Sequence, residues 1–94
     1  MKLEWSEDAL DDLNRFALFL KDHHPLLATR VAREIKAKAH IISEQPKVGR
    51  VLGGRTEYRQ VVLQVLNAAY IFQYRYDGER LIMLRVFHSR EFRK

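Results

Sequence analysis

Tyr58-Arg59-Gln60-Val61-Val62-Leu63-Gln64-Val65, Tyr70-Ile71-Phe72-Gln73-Tyr74-Arg75-Tyr76 and Leu81-Ile82-Met83-Leu84-Arg85-Val86-Phe87 follow one another between Tyr58 and Arg90 and read as two or three short strands. Asp77-Gly78 lies between the last two. That dipeptide predicts a type I′ hairpin turn, in which both central residues need φ > 0. The middle segment alternates, with Tyr70, Phe72, Tyr74 and Tyr76 on one face and Ile71, Gln73 and Arg75 on the other. The aromatic stripe suits the inner face of a sheet, with hydroxyls reaching its rim, better than a base-stacking platform. The last segment is apolar on both faces except at Arg85, as in a strand covered on both sides. It runs into a basic tail, His88-Ser89-Arg90-Glu91-Phe92-Arg93-Lys94.

Working outward towards the N-terminus, Gln45 to Gly54 reads as a loop leading into the sheet. Before it, Ala28, Val31, Ala32, Ile35, Ala39 and Ile42 make the apolar stripe of a helix from about Leu26 to Glu44. His23-His24-Pro25 separates this from an earlier helix, because the residue before proline is pushed out of the α region. The earlier helix starts at Ser6, a hydroxyl cap with Glu7 and Asp8 placed at the positive end of the dipole. Its stripe is Ala9, Leu10, Leu13, Phe16, Ala17 and Leu20. Leu3 and Trp5 flank Glu4 in the period of a strand. The order is therefore β-α-α-β-β-β, an α+β domain spanning 1–94 with an N-terminal helical hairpin packed on a small antiparallel sheet.

The chain has 94 residues, 47% of them hydrophobic and 31% charged, which suits one folded domain with one core. The absence of cysteine excludes disulfides and thiolate chemistry and points to a reducing cytoplasm. The N-terminus turns acidic before any apolar run, unlike a signal peptide, and no stretch is apolar enough to span a membrane. The net charge of +5 is unevenly placed: residues 1–46 hold seven Lys/Arg against eight Asp/Glu, and residues 47–94 ten against four. The sheet half is the electropositive half. It favours nucleic acid or an acidic protein partner, and charge alone does not choose between them.

The four histidines, at 23, 24, 40 and 88, lack the spacing of a zinc site, and no metal or cofactor is expected. His88 stands apart because a strand fixes it beside Arg90. It suits either a general acid–base role or a structural one closing the strand. Glu7, Asp8, Asp11 and Asp12 read as a solvated face matched to the helix dipole. Arg50, Arg55, Arg59, Arg75, Arg85 and Arg90 all fall in the sheet half, and guanidinium is the group suited to bidentate carboxylate or phosphate contacts. The terminal residues are expected not to be fixed by the fold.

Five motifs occur in order: Trp5-Ser6-x-x-Ala9 before Asp12-Leu13, Pro46-x-x-Gly49-Arg50, Tyr58-Arg59-x-Val61, Tyr70-Ile71-x-x-Tyr74-Arg75 and Arg85-Val86-x-His88-x-Arg90. Together they resemble the RelE/ParE superfamily of toxins from bacterial type II toxin–antitoxin modules, over nearly the whole chain. The resemblance implies a cytoplasmic toxin neutralised by a cognate antitoxin, as a homodimer or as a hetero-oligomer with that antitoxin. RelE-like members cut messenger RNA on the ribosome, using strand arginines and lysines around the scissile phosphate; ParE-like members poison DNA gyrase. Ile71 stands where the middle strand of the nucleases carries arginine, and no tyrosine follows Tyr76. The two-helix hairpin and the ending His88-Ser89-Arg90-Glu91-Phe92 are closer to ParE-like sequences. The resemblance thus implies a binding inhibitor of gyrase, contacting target or antitoxin through Arg59, Arg75, Arg85, His88, Arg90, Phe92 and Arg93. The alternative it leaves open is an endoribonuclease using His88, Arg90 and Arg59.

Overall fold

The computed structural model describes residues 2–92. The chain runs β1 (Lys2–Trp5), α1 (Glu7–Lys21), α2 (Pro25–Glu44), β2 (Arg50–Leu52), β3 (Arg55–Val65), β4 (Ala68–Tyr76), β5 (Arg80–His88) and a terminal 3-10 turn over Ser89–Phe92. The strands form one sheet in the order β1-β5-β4-β3-β2. The expected α+β order is present, with two differences in the sheet. β2 is an added three-residue strand inside the stretch read as a loop, and β1 joins β5 in parallel, Leu3 opposite Leu81 and Trp5 opposite Met83. That pairing brings together segments nearly eighty residues apart in the sequence, and no local pattern encodes its direction.

Both helices pack on one face of the sheet. The core joins Ala9, Leu13 and Phe16 of α1, and Val31, Ile35, Ala39 and Ile42 of α2, to Tyr70, Phe72, Tyr74, Leu81, Met83 and Val86. Each large apolar side chain buried there stabilises the fold by about 1.5–3 kcal/mol. Leu10, assigned to the buried stripe, is exposed. Among the described residues the opposite face of the sheet carries no helix, so β5 is covered by a helix on one side only. Apolar residues on the bare side are shielded by neighbours: Ile71 of β4 lies between Val62 and Phe87 in register, and the Arg85 guanidinium stacks on the Phe87 ring of β5 at 4.5 Å.

The β4–β5 hairpin forms where Asp77-Gly78 predicts it, but the turn is built differently. Three residues, Asp77 to Glu79, separate the strands, and only Gly78 has positive φ (97°). Asp77 instead accepts the Glu79 and Arg80 amides on Oδ1, both at 3.0 Å, and these bonds depress its pKa to about 2. Between β3 and β4 the turn is Leu66-Asn67, with Leu66 at φ 56°. This left-handed conformation is costly for a side chain other than Gly, Asn or Asp, and Leu66 is held there while packing against the core.

Ser6 caps α1 by accepting the Ala9 amide at 3.0 Å, while its hydroxyl donates to the Leu84 carbonyl of β5. Pro25 occupies the first turn of α2, where its missing N–H costs nothing. The bond pair made by the Tyr74 hydroxyl, donating to the Pro46 carbonyl at 2.7 Å and accepting the Gly49 amide at 3.0 Å, pins the loop after α2 onto β4. A Cβ on Gly49 would lie 2.7 Å from that hydroxyl, which explains the glycine in Pro46-x-x-Gly49.

Candidate functional site

β1 pairs with β5 only as far as Met83, which leaves the rest of β5 as an open edge. Side chains of α1 close it. Asp12, 1% exposed, accepts the Val86 amide at 2.8 Å and receives the Arg85 guanidinium on both oxygens, at 2.9 and 3.0 Å. Arg15 also binds Asp12, and its other nitrogens chelate Glu91 of the terminal turn at 3.0 and 3.1 Å. Burial alone would raise the Asp12 pKa; the Arg85 and Arg15 guanidiniums and the Val86 amide outweigh it and hold the carboxyl below its ordinary range. The Glu91 contact raises Arg15 in turn, and Asp12 raises Arg85. Asp12 is thus a buried clamp between helix and sheet, not part of the solvated face expected for the acids of α1.

Glu91 continues the chain of contacts by accepting the His88 amide at 2.7 Å. The His88 ring packs edge-to-face on Tyr70 with centroids 5.0 Å apart, and its Nδ1 accepts the Arg90 amide at 3.1 Å. The tail is therefore fixed as far as Glu91, contrary to the expectation of a free terminus. The contact between His88 and Arg90 is thus made by the Arg90 main chain, not by its guanidinium. Among the described residues the Arg90 guanidinium has no ion-pair partner, and it stands exposed at the rim of a groove.

That groove, about 510 Å³, opens between the tip of the helical hairpin and the β3–β4 turn. Phe16, Phe19, Leu20, Leu27, Val31, Leu66 and Tyr70 give it an apolar wall; Arg15, His88, Arg90 and Glu91 add polar side chains to its lining. Phe19 is 79% exposed, and Leu26 nearby is 81% exposed. The sequence reading missed the groove, although Phe19 and Leu27, apolar residues outside either core stripe and on both sides of one short connection, were its signal.

Arg59 and Arg75 are placed elsewhere and are engaged. Arg59 donates to the Gly49 and Lys47 carbonyls at 2.8 and 3.4 Å, and Arg75 pairs with Asp77 at 3.4 Å. His88 lies opposite Tyr70 and Arg59 opposite Tyr74, and Arg75 follows on the same strand, so the two groups are about 13–17 Å apart along β4. The Phe92 side chain and Arg93 lie outside the described residues. Among the described residues no cluster of His, Asp and Glu could hold a metal ion, and no helix is long and apolar enough to cross a membrane.

The arrangement has relatives. A family model for the ParE toxin of the type II toxin-antitoxin system, parDE, matches residues 3–92. Toxin RelE1 of Caulobacter vibrioides is 29% identical over 80 residues, covering 85% of this chain and 84% of that protein. Two solved structures share the fold. The chromosomal ParDE toxin–antitoxin system from P. aeruginosa superposes with a TM-score of 0.73 at 19% identity, over 94% of this chain and 95% of that one. The YoeB/ParE toxin from Agrobacterium tumefaciens gives 0.56 at 17% identity, over 94% and 98%. With the match running from β1 through the terminal turn, the chain belongs to the ParE toxin family of type II toxin–antitoxin systems, within the RelE/ParE superfamily.

Proposed function

We propose that this toxin acts by binding DNA gyrase and not by cutting messenger RNA. The observation that carries the reading is the surroundings of Ile71. It is 7% exposed, packed between Val62 and Phe87 on the helix-free face, at the middle-strand position where RelE-like nucleases carry a guanidinium. Nearby cations do not replace that group: Arg59 holds loop carbonyls, Arg75 holds Asp77 and Arg85 holds Asp12. Losing one preorganised charge-stabilising group costs about 10²–10³ in rate on the scale of oxyanion-hole losses. A binding toxin suffers no such loss. The surface offered to gyrase is the end of β5, where Arg90 projects from a turn held by Glu91.

The cognate antitoxin meets the groove. An amphipathic segment would set aliphatic side chains against Phe16, Phe19 and Val31 and a carboxylate towards Arg90. Charge contacts of this kind appear mainly in the association rate and its salt dependence. Association that is equally fast at low and high salt would remove the electrostatic part of the reading.

The His88–Arg90 pair supports a second reading, a nuclease with His88 as acid. One preparation assayed for gyrase supercoiling and for cleavage of ribosome-bound messenger decides between them. Inhibited supercoiling with intact messenger, and weaker inhibition by Arg90→Ala, is the expected result. Messenger cleavage lost in His88→Ala, with gyrase unaffected, would overturn it.

A further inference from the structure

The N-terminal half of the chain is net acidic, but its charges are not evenly mixed. Of the eight Asp/Glu in residues 1–46, six precede Pro25. α2 holds four of the seven Lys/Arg, namely Arg30, Arg33, Lys36 and Lys38, against Glu34 and Glu44. Arg30, Arg33 and Lys36 recur at three-residue steps, so they line one side of the helix, and all three are exposed. The core stripe of Ala28, Val31, Ile35, Ala39 and Ile42 faces the other way. Elsewhere guanidiniums find carboxylates: Arg15, Arg55, Arg75, Arg80 and Arg85 each pair with Asp or Glu. Among the described residues no ion pair engages Arg30, Arg33 or Lys36, and Glu34, one turn from Arg30, does not pair with it.

The surroundings of these cations decide what they suit. Thr29, Ala37 and His40 are the other exposed residues from Thr29 to His40, so this face offers no large apolar side chain; Leu26 and Ile41 lie beyond it. An acidic peptide that folds on binding needs a row of apolar anchor sites as well as charge. A phosphate backbone needs only positive charge at close pitch. Arg30, Arg33 and Lys36 fall within about 9 Å along the helix axis, and each DNA strand carries one phosphate per about 3.4 Å of its own axis. We infer that α2 lays Arg30, Arg33 and Lys36 on the phosphate backbone of duplex DNA. The duplex is the one held by gyrase, a clause that rests on the gyrase reading above; the contact itself rests on the ridge.

The test first measures binding of the full-length toxin, without gyrase, to a fluorescent DNA duplex of arbitrary sequence across a salt series. The logarithm of the binding constant is expected to fall with that of the salt concentration at a slope of about −2.7, three phosphates at about −0.9 each. Arg33→Gln/Lys36→Gln keeps good helix formers on an exposed face, so the fold should stay. Its slope should shrink to about −0.9 and its binding at low salt weaken at least about tenfold. Lys47→Gln/Arg50→Gln removes the same charge from exposed positions elsewhere and should bind within about twofold of the wild type. Equal losses in the two variants overturn the inference in favour of general charge attraction, as does a wild-type slope shallower than about −1. Tighter binding to ribosomal RNA than to the duplex overturns it too, as does binding to an acidic peptide with none to the duplex. Should the double variant fail to fold, Arg33→Gln alone is expected to remove about 0.9 from the slope, and an unchanged slope there overturns the inference. With gyrase present, adding duplex should tighten wild-type toxin binding at least about fivefold and leave the double variant unchanged. Equal tightening in both counts against the ridge. A wild type that binds duplex through the ridge and never binds gyrase defeats the gyrase reading alone.

Discussion

β3 and β5 flank β4 on either side, and both are longer than the short strands that pair with their outer edges. β2 covers β3 up to Gln60, and β1 covers β5 up to Met83. Beyond those points the two edges are treated in opposite ways. On β5 the Ser6 hydroxyl binds the Leu84 carbonyl, and Asp12 binds the Val86 amide with two guanidiniums around it. On β3 nothing from α2 reaches over, because α2 lies beneath the sheet and ends in the loop tied to Tyr74. A sealed edge adds stability and leaves nothing to recognise. An open one of uncharged β-formers leaves its outward backbone groups to solvent. The electropositive half of the molecule divides as well: Arg59, Arg75 and Arg85 serve the fold, and Arg90 and Arg50 are exposed without an ion-pair partner among the described residues.

Removing the seal should give the largest effect. Asp12→Ala leaves the Val86 amide without its acceptor and deprives Arg85 and Arg15 of a shared carboxylate. Breaking a buried ion pair costs about 3–5 kcal/mol. Here both arginines are partly exposed and regain water, so a loss of about 2–3 kcal/mol is expected, read as a lower midpoint in urea unfolding. A loss below about 1 kcal/mol would mean that α1 does not seal this edge.

Next is the anchor that stops β2 short on the other side. Tyr74→Phe keeps the ring in the core but removes the hydroxyl between Pro46 and Gly49, exposing a buried amide and carbonyl to mismatch. About 1–2 kcal/mol should be lost. Under the edge argument, exchange at Arg50–Leu52 should also quicken while the Val61–Val65 amides facing β4 stay protected. Equal quickening in both would show β2 and β3 to be one unit, and the contrast between covered and open stretches would fail.

Acid should act on the sealed edge more than on the open one. The Asp12 pKa is lowered in the folded state from an ordinary value of 3.8. Its contribution is therefore complete above that value and is lost as pH falls through the depressed one. Stability of the wild type should drop below about pH 4 more steeply than that of Asp12→Asn, which has no proton to take up there. Parallel pH profiles for the two would place the acid sensitivity elsewhere, with Asp77 the next candidate.

These features differ in how far the sequence disclosed them. Alternation at Tyr70, Phe72 and Tyr74 placed β4 and its buried face, Ser6 placed the start of α1 and His23-His24-Pro25 the break before α2, because each signal lies within a few residues of its consequence. The parallel partner of β1 and the role of Asp12 depend on segments more than seventy residues apart. Asp12 sits in an acidic run that looks like any solvated helix start, and only the tertiary fold separates it from Asp11. Arg59, Arg75 and Arg85 were visible as a guanidinium-rich set but not as engaged ones, since their partners are loop carbonyls, a turn and a distant helix. The groove depends on how the hairpin tip meets a turn whose Leu66 holds a positive φ that composition does not announce.

The smallest effect concerns the tail, and it separates fixing a residue from stabilising the fold. Glu91 chelates Arg15 and accepts the His88 amide, yet both charged side chains are partly exposed, and pairs of that kind are worth about 0–1 kcal/mol. Glu91→Gln keeps the shape and one acceptor oxygen while removing the charge, so the unfolding midpoint should shift by no more than about 0.5 kcal/mol. The orientation of the turn depends on that charge more than the core does. Arg90 would then project less uniformly, and gyrase inhibition should weaken by a larger factor than stability does. Arg15→Lys gives a parallel case, since one ammonium cannot reproduce the two-point contact. Weakened inhibition in both variants at unchanged stability would place the working surface at the turn. Full inhibition in both would remove the turn from the target contact and leave Glu91 as a minor extension of the Asp12 seal.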